Sequence, residues 1–262
     1  MCSPSTPLNP RCPLLSTSLH VAPRRSTSLR LGGLRPRHSL RFAQLGVPFS
    51  DPLADGPTIQ ASNQQALENG TNVEDCLQFV RDARAEGLTV PIVLMGYCNP
   101  FLNYGEERLV EDCSKAGISG FIVVDLPPDE AETFQKSCDE FGCSLIPLVA
   151  PTTTDARMAQ IARDTSGSAK GYVYCVSVTG VTGARTDLPP DLVDFLDRVR
   201  KHFTVPLAVG FGLSTREHMK QVGAMAEGVV MGSAVIRAFG KGETTEEHVA
   251  SISEFCNGVV ND

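Results

Sequence analysis

From Gln44 to the C-terminus the chain alternates short apolar runs with amphipathic stretches, and this alternation constrains the fold more than any other feature. The strand-like runs are PIVLMGY (91–97), GFIVVDL (120–126), CSLIPLVA (143–150), GYVYCVSV (171–178), PLAVGF (206–211) and GVVMGSAV (228–235), preceded by a poorer one, FAQLGVPF (42–49). Helical stretches between them carry start signals: Asn72 before VEDCLQFVRDARAEG, Pro128 before DEAETFQKSCDEFG, and Thr153 and Thr154 before DARMAQIARD. Asp187 or Pro189 opens PDLVDFLDRVRKHF, Ser214 opens TREHMKQVGAM, and a last helix runs from about 245 to 259. Strands alternating with helices mean a parallel sheet with crossover connections. Seven such strands exceed what an open doubly wound sheet needs, and no dinucleotide fingerprint follows the first. The expected fold is therefore α/β, a (β/α)8 TIM barrel lacking its first βα unit, in a chain whose 262 residues suit that fold.

Residues 1–43 read differently. They hold seven arginines, no lysine and no acid, so of the net charge of −7 the remainder carries −14. Rich in Ser, Pro, Arg and Leu and without periodicity, they form a leader expected to be disordered and apart from the barrel at 44–262. The composition suits an organelle transit peptide or a misassigned start; the first implies a plastid location, otherwise the cytoplasm. An acidic body argues against nucleic acid as a partner. No apolar run approaches the ~18 residues of a membrane span. The nine cysteines lack paired or histidine-flanked spacing and are expected to be buried reduced thiols rather than disulfides or metal ligands.

In such barrels chemistry gathers where strands end and helices begin. Three strand ends are glycine-rich: VTGVTGAR (178–185), GFGLS (210–214) and MGSA (231–234). One such turn is unremarkable, but three after successive strands describe a phosphate cradle, because glycine lets backbone N–H groups approach an anion. Tyr172 and Tyr174 lie two apart on one strand and share a face. Either both are core residues, or Tyr174, nearer the strand's end, enters a substrate pocket. Tyr97 admits the same two readings, while Asp125 ends a strand too apolar to leave a carboxylate without a role. The loop LGVPFSDPLADGP (45–57) sets Asp51 and Asp55 among three prolines and two glycines. One acid suffices as a helix cap or turn former; the other could meet the substrate.

LGVPFSDPLADGPTIQ, together with VTGVTGAR, GFGLS and MGSA, closely resembles the tryptophan synthase α subunit family from about residue 42 onward. That resemblance implies retro-aldol cleavage of indole-3-glycerol phosphate to indole and glyceraldehyde 3-phosphate. It implies delivery of indole to a β subunit, separate or fused, that holds pyridoxal phosphate, with no cofactor or metal in this chain. By the same match, Asp55 hydrogen-bonds the indole N–H and Tyr174 neighbours the catalytic acid. Thr182, Gly183, Phe211, Gly212, Gly232 and Ser233 fall on the phosphate and pocket loops, and Met95, Tyr97 and Asp125 surround the indole. The loop containing Asp51 to Gly56 meets the β subunit in the family.

The departure is Gln44, which stands where the family places the glutamate that moves protons. An amide cannot do so, and the chain as written is expected to be poorly folded or inactive in the lyase step. Two other readings remain open: a non-catalytic partner of a β subunit, and a stand-alone lyase that releases free indole.

Overall fold

The computed structural model describes residues 17–21, 40–165, 171–177, 188–210, 212–241 and 244–260. In chain order the elements are β1 (Thr17–Val21), β2 (Leu40–Gly46), α1 (Pro57–Glu68), α2 (Val73–Ala85), β3 (Ile92–Gly96), α3 (Cys98–Tyr104) and α4 (Glu106–Ala116). There follow β4 (Gly120–Val123), a 3-10 turn (Pro128–Glu130), α5 (Glu132–Phe141), β5 (Ser144–Leu145), β6 (Leu148–Val149) and α6 (Asp155–Thr165). The last are β7 (Val173–Val176), α7 (Leu192–Arg200), β8 (Leu207–Gly210), α8 (Arg216–Gly223), β9 (Gly228–Met231), α9 (Ser233–Phe239) and α10 (Thr245–Val260).

The strands form one sheet in the order β5-β4-β3-β2-β1-β9-β8-β7-β6. Its two ends are halves of one bent stave. Ile146 N–H donates to Phe121 on the β4 side at 2.8 Å, and the Pro147 carbonyl accepts from Tyr174 on the β7 side at 2.9 Å. Pro147 has no N–H to continue the ladder, which is why the expected single strand at 143–150 appears as two short pieces. The sheet thus closes as a barrel.

The expectation that residues 1–43 stay apart from the barrel gives way at one place. β1 lies between β2 and β9 and is antiparallel to both, with Leu19 opposite Ala43 and Met231, whereas every other pairing among the described residues is parallel. Without it, β2 and β9 would face each other with unpaired backbone groups. No helix among the described residues follows β1, so the first parallel βα unit is absent there, and α1 packs directly against α9 across the gap. The last strand is also shorter than the run at 228–235 suggests: it stops at Met231, and the chain turns at Gly232 into α9.

Side chains alternate in and out. Val93, Ile122, Tyr174, Ala208 and Val230 form the buried interior, joined by Phe42, Met95 and Tyr172. The outer faces pack on the helices in two clusters, one for each half of the barrel. In the first, Phe101, Phe121 and Phe134 meet at ring-centroid distances of 5.2–6.2 Å. Helix starts match the sequence signals in part: Asn72 and Asp75 form a reciprocal capping box at 3.0 and 3.1 Å, whereas α5 begins at Glu132 after the 3-10 turn at Pro128, and the residues capping α7 and α8 are Asp191 and Thr215. All seven described cysteines are free thiols, and no helix among the described residues is long and apolar enough to cross a membrane.

Arg84 links α2 to the barrel. Its Nη1 donates to the carbonyls of Leu88 and Val90 at 2.6 and 2.7 Å, and its Nη2 to that of Gly117 at 2.8 Å. Gly117 has φ +89°, a backbone conformation that side chains resist, and a Cβ there would lie 3.0 Å from Arg84 Nε, a tight approach. Arg84→Ala is expected to cost about 1–3 kcal/mol in urea unfolding, since it leaves partly buried carbonyls unpaired. A lysine, which lacks the planar fork, should recover little.

Candidate active site

The mouth is built from the C-terminal ends of the parallel strands. β2 leads into the proline-bound loop, where Asp55 N–H donates to the Pro52 carbonyl at 3.0 Å and Leu53 N–H to that of Asp51 at 2.8 Å. Gly56 caps α1 and Pro57 occupies its first turn, where a missing N–H costs nothing. Gln60 Nε2 donates to the Asp55 carbonyl at 2.9 Å, fixing the loop to the helix it opens. Asp55 is thereby held at 8 % exposure. Asp51 is exposed and bonded to Ser50 Oγ, a turn former as one of the two sequence readings has it.

Tyr97, just beyond β3, completes this corner. Its hydroxyl donates to Asp55 Oδ2 at 2.9 Å and accepts the Ala54 N–H at 3.1 Å, while its ring packs on Phe49 at 5.1 Å. Burial raises the Asp55 carboxyl above its ordinary range, and the Tyr97 bond works in the opposite direction. Burial and the Asp55 charge together raise the Tyr97 phenol, so it remains a donor. Tyr174 on β7 is buried, and burial, followed by the Asp55 charge, raises its phenol.

Gln44, 1 % exposed on β2, donates from Nε2 to Met95 Sδ. It lies on the same strand face as Phe42, whose ring meets Tyr172 at 4.7 Å in the interior. Asp125, which the resemblance places around the indole, caps a helix start beside Tyr97. It is exposed, and its Oδ1 accepts the Cys98 N–H at 2.7 Å, capping α3 immediately after Tyr97. The same carboxylate, second to burial, pushes the Cys98 thiol up to about 12. That thiol stays protonated and is no nucleophile.

At the glycine turns, Gly212 follows β8 with φ +83°, a conformation side chains resist, and Gly232 caps α9 ahead of Ser233. Thr182, Gly183 and Phe211 lie outside the described residues. Sequence reasoning missed the role of Gly210. A Cβ there would stand 2.1 Å from Tyr174 Oη, so glycine at this position makes room for the phenol. It also missed Ser177, whose N–H and Oγ both donate to the Gly210 carbonyl at 3.0 and 2.8 Å. A separate cavity of about 550 Å³ opens between α5 and α6, lined by Leu126, Ile146 and Leu148 and spanned by Arg157 and Asp129. Asp55, Tyr97 and Tyr174 do not line it.

The family model described as "Tryptophan synthase alpha chain" matches residues 39–261. A tryptophan synthase from Saccharomyces cerevisiae is 50% identical over 219 residues, 83% of this chain but 30% of that protein. A tryptophan synthase alpha chain from Roseiflexus castenholzii is 49% identical over 212 residues, 81% of this chain and 79% of that one. Among solved structures, Mycobacterium tuberculosis tryptophan synthase aligns with TM-score 0.74 at 34% identity, covering 86% of this chain and 83% of that one. A tryptophan synthase complex from Pyrococcus furiosus aligns with TM-score 0.73 at 35% identity, covering 82% and 84%.

Proposed function

This chain belongs to the tryptophan synthase alpha chain family, whose work in tryptophan biosynthesis is the α reaction, and on that premise we propose how its barrel mouth binds and handles indole-3-glycerol phosphate. The observation that carries the reading is the buried Asp55 carboxylate, oriented by the Tyr97 hydroxyl at the C-terminal end of the barrel. The indole N–H donates to Asp55. A proton added at ring C3 turns the ring into an electron sink whose positive charge the carboxylate stabilises. Loss of the side-chain hydroxyl proton then makes the aldehyde. The C3–C bond breaks, its electron pair returns to the ring, and indole and glyceraldehyde 3-phosphate separate.

The phosphate goes to the turns at Gly212 and Gly232, where glycine keeps side chains away from the backbone N–H groups and α9 begins. The protons at C3 and at the hydroxyl need a group that both gives and takes them. Gln44 occupies that place and can only hydrogen-bond. The chain as it stands is therefore a binder with a slow chemical step. The same observation favours a second reading, a non-catalytic partner that presents or retains indole for a β chain. Leu53, 85 % exposed on the rigid loop, supplies an apolar anchor for such a chain, which would carry the pyridoxal phosphate.

Titration calorimetry with indole-3-glycerol phosphate, paired with an assay for released indole, tests the reading. The expected result is saturable binding with slow release. Absence of binding by the intact chain sinks both readings of the mouth, while fast release sinks the role given to Gln44.

A further inference from the structure

His218, on the first turn of α8, is 4 % exposed and is not needed by any step above. Its ring Nδ1 lies 3.3 Å from the N–H of Ser214, and its own N–H donates to Thr215 Oγ1, the helix cap, at 3.2 Å. In an ordinary capping box the third helical residue is Glu or Gln and reaches back to the cap residue. Here an imidazole reaches one residue further, into the turn Gly212–Ser214. Because a backbone N–H only donates, Nδ1 is the acceptor in this contact. At the opposite end of the turn, Ser177 donates twice to the Gly210 carbonyl, at 3.0 and 2.8 Å. Buried side chains from elsewhere thus hold the chain at Gly210 and at Ser214, on either side of Gly212 with its positive φ.

We propose that His218 is the positioning residue of the phosphate turn, holding Ser214 so that the backbone around Gly212 is preset for a phosphate monoester; this rests on the phosphate reading given above. A turn with left-handed Gly212 has several nearby conformations, and only one aims its N–H groups together. The Nδ1 bond selects among them before ligand arrives, so its loss appears as weaker binding of the phosphate end alone.

The experiment is calorimetry on the full chain with two probes, glycerol 3-phosphate for the turn and indole for the apolar pocket. His218→Leu fills the buried space without an acceptor; His218→Gln restores one; Thr215→Ala removes the helix cap but leaves the ring bond. His218→Leu is expected to weaken glycerol 3-phosphate about five- to tenfold, the worth of one hydrogen bond, with indole unchanged. His218→Gln should recover most of that, and Thr215→Ala should lower thermal stability while leaving both affinities in place. If wild type and His218→Leu bind glycerol 3-phosphate alike, the inference fails and the phosphate reading stands. Equal losses for both probes, or no recovery with glutamine, also overturn it, since they mark a general packing role. Wild type that fails to bind glycerol 3-phosphate overturns the phosphate reading and this inference with it. Should His218→Leu not fold, the glutamine variant decides: affinity within about twofold of wild type supports the proposal, and a full five- to tenfold loss refutes it.

Discussion

Replacing Gln44 with glutamate is expected to raise indole release from indole-3-glycerol phosphate by about 10²–10⁴-fold, the range a positioned general acid–base supplies. The two side chains have nearly the same shape and volume, so the buried position beside Met95 takes the change without a cavity. The bond given up, from an amide to a thioether, is weak because sulfur is a poor acceptor. What is gained is a carboxyl in a dry interior, where burial holds the neutral form into the range in which it can first donate and then accept. Substrate affinity should change only a few-fold, because the contacts of Asp55 and of the glycine turns are untouched. Saturating turnover separates the two effects: a gain in kcat with little change in KM is the expected pattern. Unchanged turnover with intact binding would show that this position does not move the protons.

The barrel was legible because its period is local. Each strand-like run and each capped helix announces itself within about ten residues, as Asn72 does for α2 and Thr154, whose Oγ1 accepts the Arg157 N–H, does for α6. α1 escaped notice because PTIQASNQQALE is polar nearly throughout and buries only Ile59, Asn63 and Ala66. α3 is seven residues long and carries Pro100 inside it. α9 was hidden in an apolar run that reads as one strand, since only tertiary packing decides that the chain turns at Gly232. β1 could not be read at all: its pairing is set by the empty place between β2 and β9, far away in sequence, not by its own pattern. The site divides in the same way. Asp55 and the glycine turns are visible as motifs, whereas the ties that orient them, from Tyr97 to Asp55, Asp125 to Cys98 and Ser177 to Gly210, span 27 to 42 residues and exist only after folding.

Asp55→Asn is expected to abolish most of the turnover gained with glutamate at position 44, by about 10²-fold or more, while making the protein more stable at neutral pH. The loss follows from charge. Asparagine still offers Oδ1 to Tyr97 and to an indole N–H, but it brings no negative charge to the ring as C3 takes its proton. The gain follows from linkage. Burial raises the folded-state carboxyl above its ordinary value of 3.8, so ionising Asp55 costs more in the native chain than in the unfolded one. Below the ordinary value both states are protonated and the penalty is absent. As pH rises through that value and on to the raised one, stability falls; above it the full penalty persists. Thermal unfolding of wild type and Asp55→Asn should therefore differ most near pH 7, with asparagine the more stable, and converge in acid. The Tyr97 bond opposes burial but ranks below it, which is why the sign is not reversed. An asparagine variant less stable than wild type at pH 7 would mean that the surroundings support the carboxylate outright, and Asp55 would then be a structural acid. A stability gain joined to a loss of chemistry is the mark of a charge kept in a dry site for the reaction it serves.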